Sequence, residues 1–243
     1  MPTFLTALAL AAAGATAAVA PGAARTGALP PPPAPPPGSA FVRVIDNPWF
    51  PLLPGTVLVS RGEDDGVPAT DVLVVTRKTR RILGIRATVV HDRVFERGRL
   101  VERTLDYYAQ DRAGNVWYLG EDTATLRPDG RVESTDGTFH AGVRGARAGV
   151  IMPARPRPGD RGWQEYFPRQ ALDRFLILRS GAAVATPALR SRRAMVVQET
   201  TPLEPGVVDH KVYVRGIGVV REETVKGGNE RYELVSVRRP GSG

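Results

Sequence analysis

The sequence predicts a mainly β protein: one large antiparallel meander that curves into a half-barrel or barrel, with little helix. Three observations lead there. From Phe41 onward β-branched and aromatic residues dominate. Turn residues interrupt them at intervals of about ten positions. The turns are short, as at Leu83-Gly84, Arg97-Gly98, Pro128-Asp129-Gly130 and Gly227-Gly228-Asn229. A short turn between long strands forces antiparallel neighbours, because a parallel crossover needs about a dozen residues or more.

Taken in order, the chain begins with Thr3 to Ala20, "TFLTALALAAAGATAAVA", which is apolar, uncharged and rich in small residues. Residues 1–20 read as a signal peptide or an N-terminal anchor. No Lys or Arg precedes the apolar run, so cleavage and retention both remain open. Residues 21–40 form a Pro/Ala-rich linker, which proline makes extended and semi-rigid. Residues 41–243 are expected to form a single β-rich domain, long enough to bury a core.

The expected strands are Thr56–Arg61, Thr70–Arg81, Ile85–Glu96, Arg99–Gln110, Val116–Thr125, Arg131–Ser134, Arg161–Phe167, Phe175–Leu178, Ala194–Glu199, Val207–Tyr213, Gly218–Val225 and Arg231–Val237. Gly142–Val150 is expected to be a turn or short helix, and Gln170–Leu178 a short helix or a strand.

Composition excludes several classes. The chain has 243 residues, a formal net charge of +8 and no cysteine. No disulfide, thiolate metal site, thiol nucleophile or lipid-bearing cysteine is available. The positive charge is scattered arginine; Lys78, Lys211 and Lys226 are the lysines. No nucleic-acid-binding pattern accompanies it, so no nucleic-acid partner is expected. His91, His140 and His210 show no metal-binding spacing, and no GxSxG elbow or Walker motif is present. Gly216-Ile217-Gly218 reads as a bend in a strand. No cofactor, metal or catalytic residue is assigned.

The hairpin around Asp111-Arg112-Ala113-Gly114-Asn115 carries the most information. A three-residue loop closed by a left-handed Gly114 places Asp111 opposite Asn115, Tyr108 opposite Tyr118 and Asp106 opposite Gly120. One face then carries Leu105, Tyr107, Ala109, Trp117 and Leu119, which reads as core. The other carries Asp106, Tyr108, Gln110, Val116, Tyr118 and Asp122. Acids, an amide and tyrosines are residue types that line ligand pockets, though a cross-strand tyrosine pair also stabilises a hairpin on its own. Two Pro-bounded loops, Asp46–Leu52 and Gly149–Ala154, are placed either to cap the open end of a half-barrel or to plug it.

The stretches "IDNPWFPLLPGT", "DYYAQDRAGNVWYLGEDT", "MPARPRPGD", "QEYFP" and "TPLEPGVVDHKVYVRGIGVVREE" together resemble a family of uncharacterised exported bacterial proteins common in actinobacteria. The resemblance covers most of Phe41 to Val237, and Ala182 to Arg193 departs from it. It implies export. The last stretch is similar in style to the envelope half-barrels of the LolA and LppX lipid-carrier type.

The expected function is therefore a secreted or cell-envelope binding protein that holds a hydrophobic or amphipathic small molecule, such as a lipid, in a curved sheet. Trp49, Phe50, Tyr108 and Tyr118 would line or gate the site, with Asp106 and Gln110 orienting a polar head and Asp122 on the same face. The alternatives are a secreted enzyme using Asp106, Glu121 or Asp122, and a structural or interaction module of the envelope. An envelope partner is possible under either. Contact with a membrane would come only through an uncleaved N-terminus.

Overall fold

The computed structural model describes residues 29–241. The signal or anchor expected at 1–20 and residues 21–28 of the expected linker lie outside the described residues. The strands are β1 (Val57–Asp64), β2 (Val67–Ile82), β3 (Ile85–Glu96), β4 (Arg99–Gln110), β5 (Val116–Leu126), β6 (Val132–Ser134), β7 (Phe139–His140), β8 (Arg147–Met152), β9 (Arg161–Trp163), β10 (Glu165–Tyr166), β11 (Arg174–Ala185), β12 (Arg190–Thr200), β13 (Val208–Val214), β14 (Gly218–Lys226) and β15 (Arg231–Arg238). Among the described residues the only helix is a 3-10 turn at Gly38–Ala40.

All the strands belong to one antiparallel sheet that bends into a nearly closed barrel. Its order is β10-β8-β5-β4-β3-β2-β1-β15-β14-β13-β12-β11-β9, with β6 and β7 also on β5. The two ends of this path, β9 and β10, are neighbours in sequence, separated only by Gln164. Trp163 pairs with Arg174 of β11, and Glu165 pairs with Ala148 of β8. One short segment thus hands the sheet from its last strand to its first. The handover needs Gly149, because a Cβ there would lie 2.3 Å from the carbonyl oxygens of both Trp163 and Gln164. Closure removes the open edges that a meander otherwise presents.

Strands β3 and β4 run over the ranges that the sequence predicts. The segment expected as a turn or short helix at Gly142–Val150 does not hold as such. A turn closes at Gly142, whose N–H bonds the Ala146 carbonyl, and strand β8 follows. Its alternating small and apolar residues fill the place beside β5. At Gln170–Leu178 the strand outcome holds from Arg174 on, after a tight turn between Phe167 and Ala171. Strands β11 and β12 run on through Ala182–Arg193, with register shifts that coil the hairpin.

The core has two faces. Inside the barrel Phe50, Tyr108, Tyr118, Phe139, Met195 and Tyr213 pack together. On the outer face of β3–β5, Ile85, Tyr107, Trp117 and Leu119 pack beneath Phe41. Pro30 and Pro32 lie against the barrel wall. The Trp163 indole donates to the Pro30 carbonyl at 2.8 Å, and Arg147 donates to the Pro32 carbonyl at 3.3 Å.

One end of the barrel is plugged by the Asp46–Leu52 loop, the second of the two roles open to it. Ile45 bridges to Leu52, and Phe50 meets Tyr108 edge-on at 5.3 Å. The Asn47 amide donates to the Gly114 and Pro153 carbonyls. From the facing wall, the Gly216 N–H donates to Pro48 at 2.6 Å.

Candidate functional site

The site begins with a β-bulge in β5. Tyr108 stands opposite Tyr118 and Tyr107 opposite Gly120, leaving Leu119 without a partner. One extra residue reverses which side of the sheet the rest of the strand presents. Glu121, rather than Gly120, therefore faces Asp106, and both point into the barrel. Asp122 is turned to the outer face, which corrects its expected place beside Asp106 and Tyr108. There it accepts from the Tyr107 hydroxyl and from Arg80, each at 2.5 Å, with His140 at 2.9 Å. Partial burial works against its charge, but the Tyr107 hydroxyl, His140 and Arg80 together hold its carboxyl below the usual range. Gly120 is the signal in the sequence. Its φ is +150°, and a Cβ there would meet the Phe139 carbonyl oxygen at 2.4 Å.

The rest of the expected hairpin stands. Asp111 accepts from the Asn115 N–H, the Asn115 amide and the Trp117 indole, each at 2.9 Å, and Gly114 has φ +98°. Of the face expected as core, Leu105 is exposed instead, and the others are buried on the outer side. The tyrosine face is concave.

Inside the barrel, beside the plug, lies a cavity of about 80 Å³. One side is apolar, formed by Phe50, Leu52, Leu58, Leu73, Ile217 and Val219. The other carries Asp71 of β2, Asp92 of β3 and Asp106 of β4, facing Lys211 and Tyr213 of β13 and Glu222 of β14. Side chains alternate along a strand, so each of these is an inward position on its own strand. Pro51 and Ile217 also line a second hollow of about 280 Å³ at the plugged end.

The charges in this interior are unequal. Lys211 Nζ lies 2.8 Å from Glu199 and 3.4 Å from Glu222. Burial opposes its charge, but the two glutamates hold its pKa well above the usual lysine value. Among the described residues no other cation lines the cavity. Burial pushes the Asp71 carboxyl well up, and the neighbouring Asp92 adds to it. Asp106 is pushed up to about 7 by burial and by Asp92, against hydrogen bonds from Tyr118 and Tyr108 and the charge of Lys211. The Tyr118 hydroxyl donates to Asp106 at 2.7 Å. Glu222 is raised by burial despite Lys211.

A second group of acids, Glu121, Glu165 and Asp173, lies toward the seam at Gln164. Glu121 and Glu165 are fully buried; Glu121 lies within reach of the Tyr118 hydroxyl, and Glu165 faces the Asp173 carboxyl. Both are raised well above the usual range, and Asp173 is raised to about 7, burial being the largest cause in each. An unmatched buried carboxyl keeps its proton rather than its charge. Among the described residues no three His, Asp or Glu side chains are arranged to hold a metal ion.

Of the residues expected from sequence, Phe50, Asp106 and Tyr108 line the cavity. Tyr118 stacks behind Tyr108 at 4.7 Å. Trp49 is buried in the plug, with Arg215 over its ring. The amide of Gln110 is committed to the plug, accepting from Asp46 N–H and Asn47 N–H and donating to Asp46. Sequence reasoning missed Asp71, Asp92, Lys211, Tyr213 and Glu222. The signal was present: Asp71 takes an inward place in a strand between Ala69 and Leu73, and Asp209, Lys211 and Tyr213 share one face.

Fold and site together define a class: a plugged, nearly closed β-barrel with a small two-sided cavity. No family model matches the chain, and no curated protein matches it. Among solved structures it is similar to a candidate exported protein with a YmcC-like fold from Bacteroides fragilis. The identity is 16%, the TM-score 0.45, and the match covers 82% of this chain and 100% of that one. It is also similar to a candidate lipoprotein from Parabacteroides distasonis, at 12% identity and a TM-score of 0.42, covering 78% and 97%.

Proposed function

We propose that this chain is a secreted or cell-envelope binding protein that holds a small amphipathic molecule inside its barrel. Export rests on the apolar run Thr3–Ala20. Binding rests on one observation, the cavity with an apolar side and a side of carboxyls and tyrosines. Ligand sites favour that combination. Its size narrows the ligand: at about 80 Å³ it is far below the roughly 300–1,000 Å³ of drug-sized sites. It takes a head group and a few carbons, with any longer tail passing toward the plugged end.

Native mass spectrometry of the full chain tests the reading. A small-molecule mass that is released on mild denaturation, and absent from a Leu73→Trp variant that fills the cavity, supports it. An empty protein that takes up no small amphiphile overturns it.

A second reading, a carboxylate enzyme, is favoured by the Asp106 carboxyl, poised near 7 beside Asp92 in a cavity. Turnover of a small ester or glycoside that Asp106→Asn abolishes would support it. Turnover untouched by that change would remove it.

A further inference from the structure

The cavity is not neutral in its choice of head group. Asp71, Asp92, Asp106 and Glu222 line it, against the single cation Lys211. That cation is already held between Glu199 and Glu222. Among the described residues no second cation lines the cavity beside Asp71, Asp92 and Asp106. Tyrosine hydroxyls serve Asp106. The Asp71 and Asp92 carboxyls lie within hydrogen-bonding reach of each other, so they share one proton and keep one negative charge between them. Both residues line the same cavity.

On the reading that the barrel binds a small amphiphile, we propose that the ligand is a cationic one: an organic ammonium with a short apolar tail. Its N–H donors reach the one negative charge that Asp71 and Asp92 share. Its charge balances Asp106 beside them. The rings of Tyr108 and Tyr213 line the same space, and tyrosine faces favour cations. The first carbons lie against Leu58, Leu73 and Val219, and a longer tail runs between Pro51 and Ile217 into the adjoining hollow.

An anionic head fits badly. A carboxylate or phosphate would meet the Asp71–Asp92 pair, Asp106 and a lysine already paired twice. A neutral hydroxyl can be hydrogen-bonded there, but it leaves the charges unbalanced. A bare metal ion leaves the apolar side unused and lacks a set of three ligands. The chain's net charge of +8 conceals this preference, because the arginines lie mainly on the outside and the acids within.

Isothermal titration of the full chain with hexylammonium, hexanol and hexanoate, at about pH 8, decides it. The three probes share one tail and differ in the head. The expected result is hexylammonium binding at least about tenfold tighter than the other two, the size of one charge-assisted hydrogen bond. Asp71→Asn should cost hexylammonium about tenfold and change hexanol by less than about twofold. Glu222→Gln, which alters the partner of Lys211, serves as a second variant if Asp71→Asn does not fold, and should weaken hexylammonium in the same direction. Hexanol or hexanoate binding as tightly as hexylammonium would overturn the cationic head and leave the binding reading standing. Failure of all three to bind would overturn both.

Discussion

Asp106 stands opposite Glu121 across the β4–β5 ladder, just past the point where the bulge at Leu119 turns the strand over. Both carboxyls enter the barrel, and the Tyr118 hydroxyl donates to Asp106 with Glu121 also in its reach. The interior therefore holds acids with far fewer cations than it needs, and its stability should depend on their protons. Asp106 and Asp173 each have a folded value of about 7 against an ordinary 3.8. A raised carboxyl binds its proton more tightly in the folded state. Its contribution is complete below the unfolded value and is lost as pH rises through the folded one. Urea midpoints should fall steadily from about pH 4 to about pH 7. The raised values of Asp71, Glu121, Glu165 and Glu222 extend the decline further. Asp106→Asn should flatten the slope and make the protein more stable than the native chain at about pH 8. An unchanged slope would show that Asp106 titrates normally.

The hairpin that carries Asp106 was legible in the sequence up to Tyr118 and not beyond it. Turn chemistry at Asp111–Asn115 sets the register locally, and the paired tyrosines follow from it. The bulge does not: it depends on Phe139 approaching the backbone at Gly120, a contact between segments that the sequence does not pair. The same limit hid the acids of the opposite wall. Asp71 and Lys211 each sit at an inward place in a strand, which a strand pattern records only as an irregularity. Their meeting inside a barrel depends on closure, and closure depends on the Trp163–Glu165 segment changing partners. Neither strand alone carries that information.

Gln110 anchors the plug through backbone groups that have no other service. Its carbonyl accepts from Asp46 N–H at 2.9 Å and Asn47 N–H at 2.8 Å, and its amide donates to Asp46 at 2.7 Å. Gln110→Ala strands two N–H groups, one of them buried. We expect a loss of about 2–4 kcal/mol, with Trp49 emission shifting to the red as the loop loosens. Equal stability and an unshifted spectrum would mean that the aromatic contacts alone hold the plug.

Gly149 sits where the barrel shuts. A methyl group there would lie 2.3 Å from two carbonyl oxygens of the Trp163–Gln164 segment, and backbone on both sides leaves it no easy escape. Gly149→Ala should separate β8 from the seam and cost upward of about 3 kcal/mol, in the range of severe overpacking. The freed strand edges should then pair between molecules. A lower melting temperature together with a dimer or larger species on gel filtration is the expected outcome. A monomer melting at the native temperature would show that the seam tolerates opening.

Lys211 is the one cation that the acid-lined cavity contains, and its removal should reveal how that charge is balanced. In Lys211→Met the glutamates at positions 199 and 222 lose their partner at 2.8 and 3.4 Å. Breaking a buried ion pair from one side costs about 3–5 kcal/mol while the remaining acids stay charged. The same acids can instead take up protons, and acid conditions make that easier. The deficit of Lys211→Met against the native chain should therefore be largest at about pH 8 and shrink toward about pH 5. The native chain itself gains stability over the same descent, so the two curves converge while both rise. A deficit independent of pH would mean that Lys211 contributes packing of its methylene chain rather than charge. Hexylammonium affinity then separates the roles further. The variant removes a positive charge that faces the bound head, so at about pH 8 it should bind hexylammonium more tightly than the native chain if the head group is a cation.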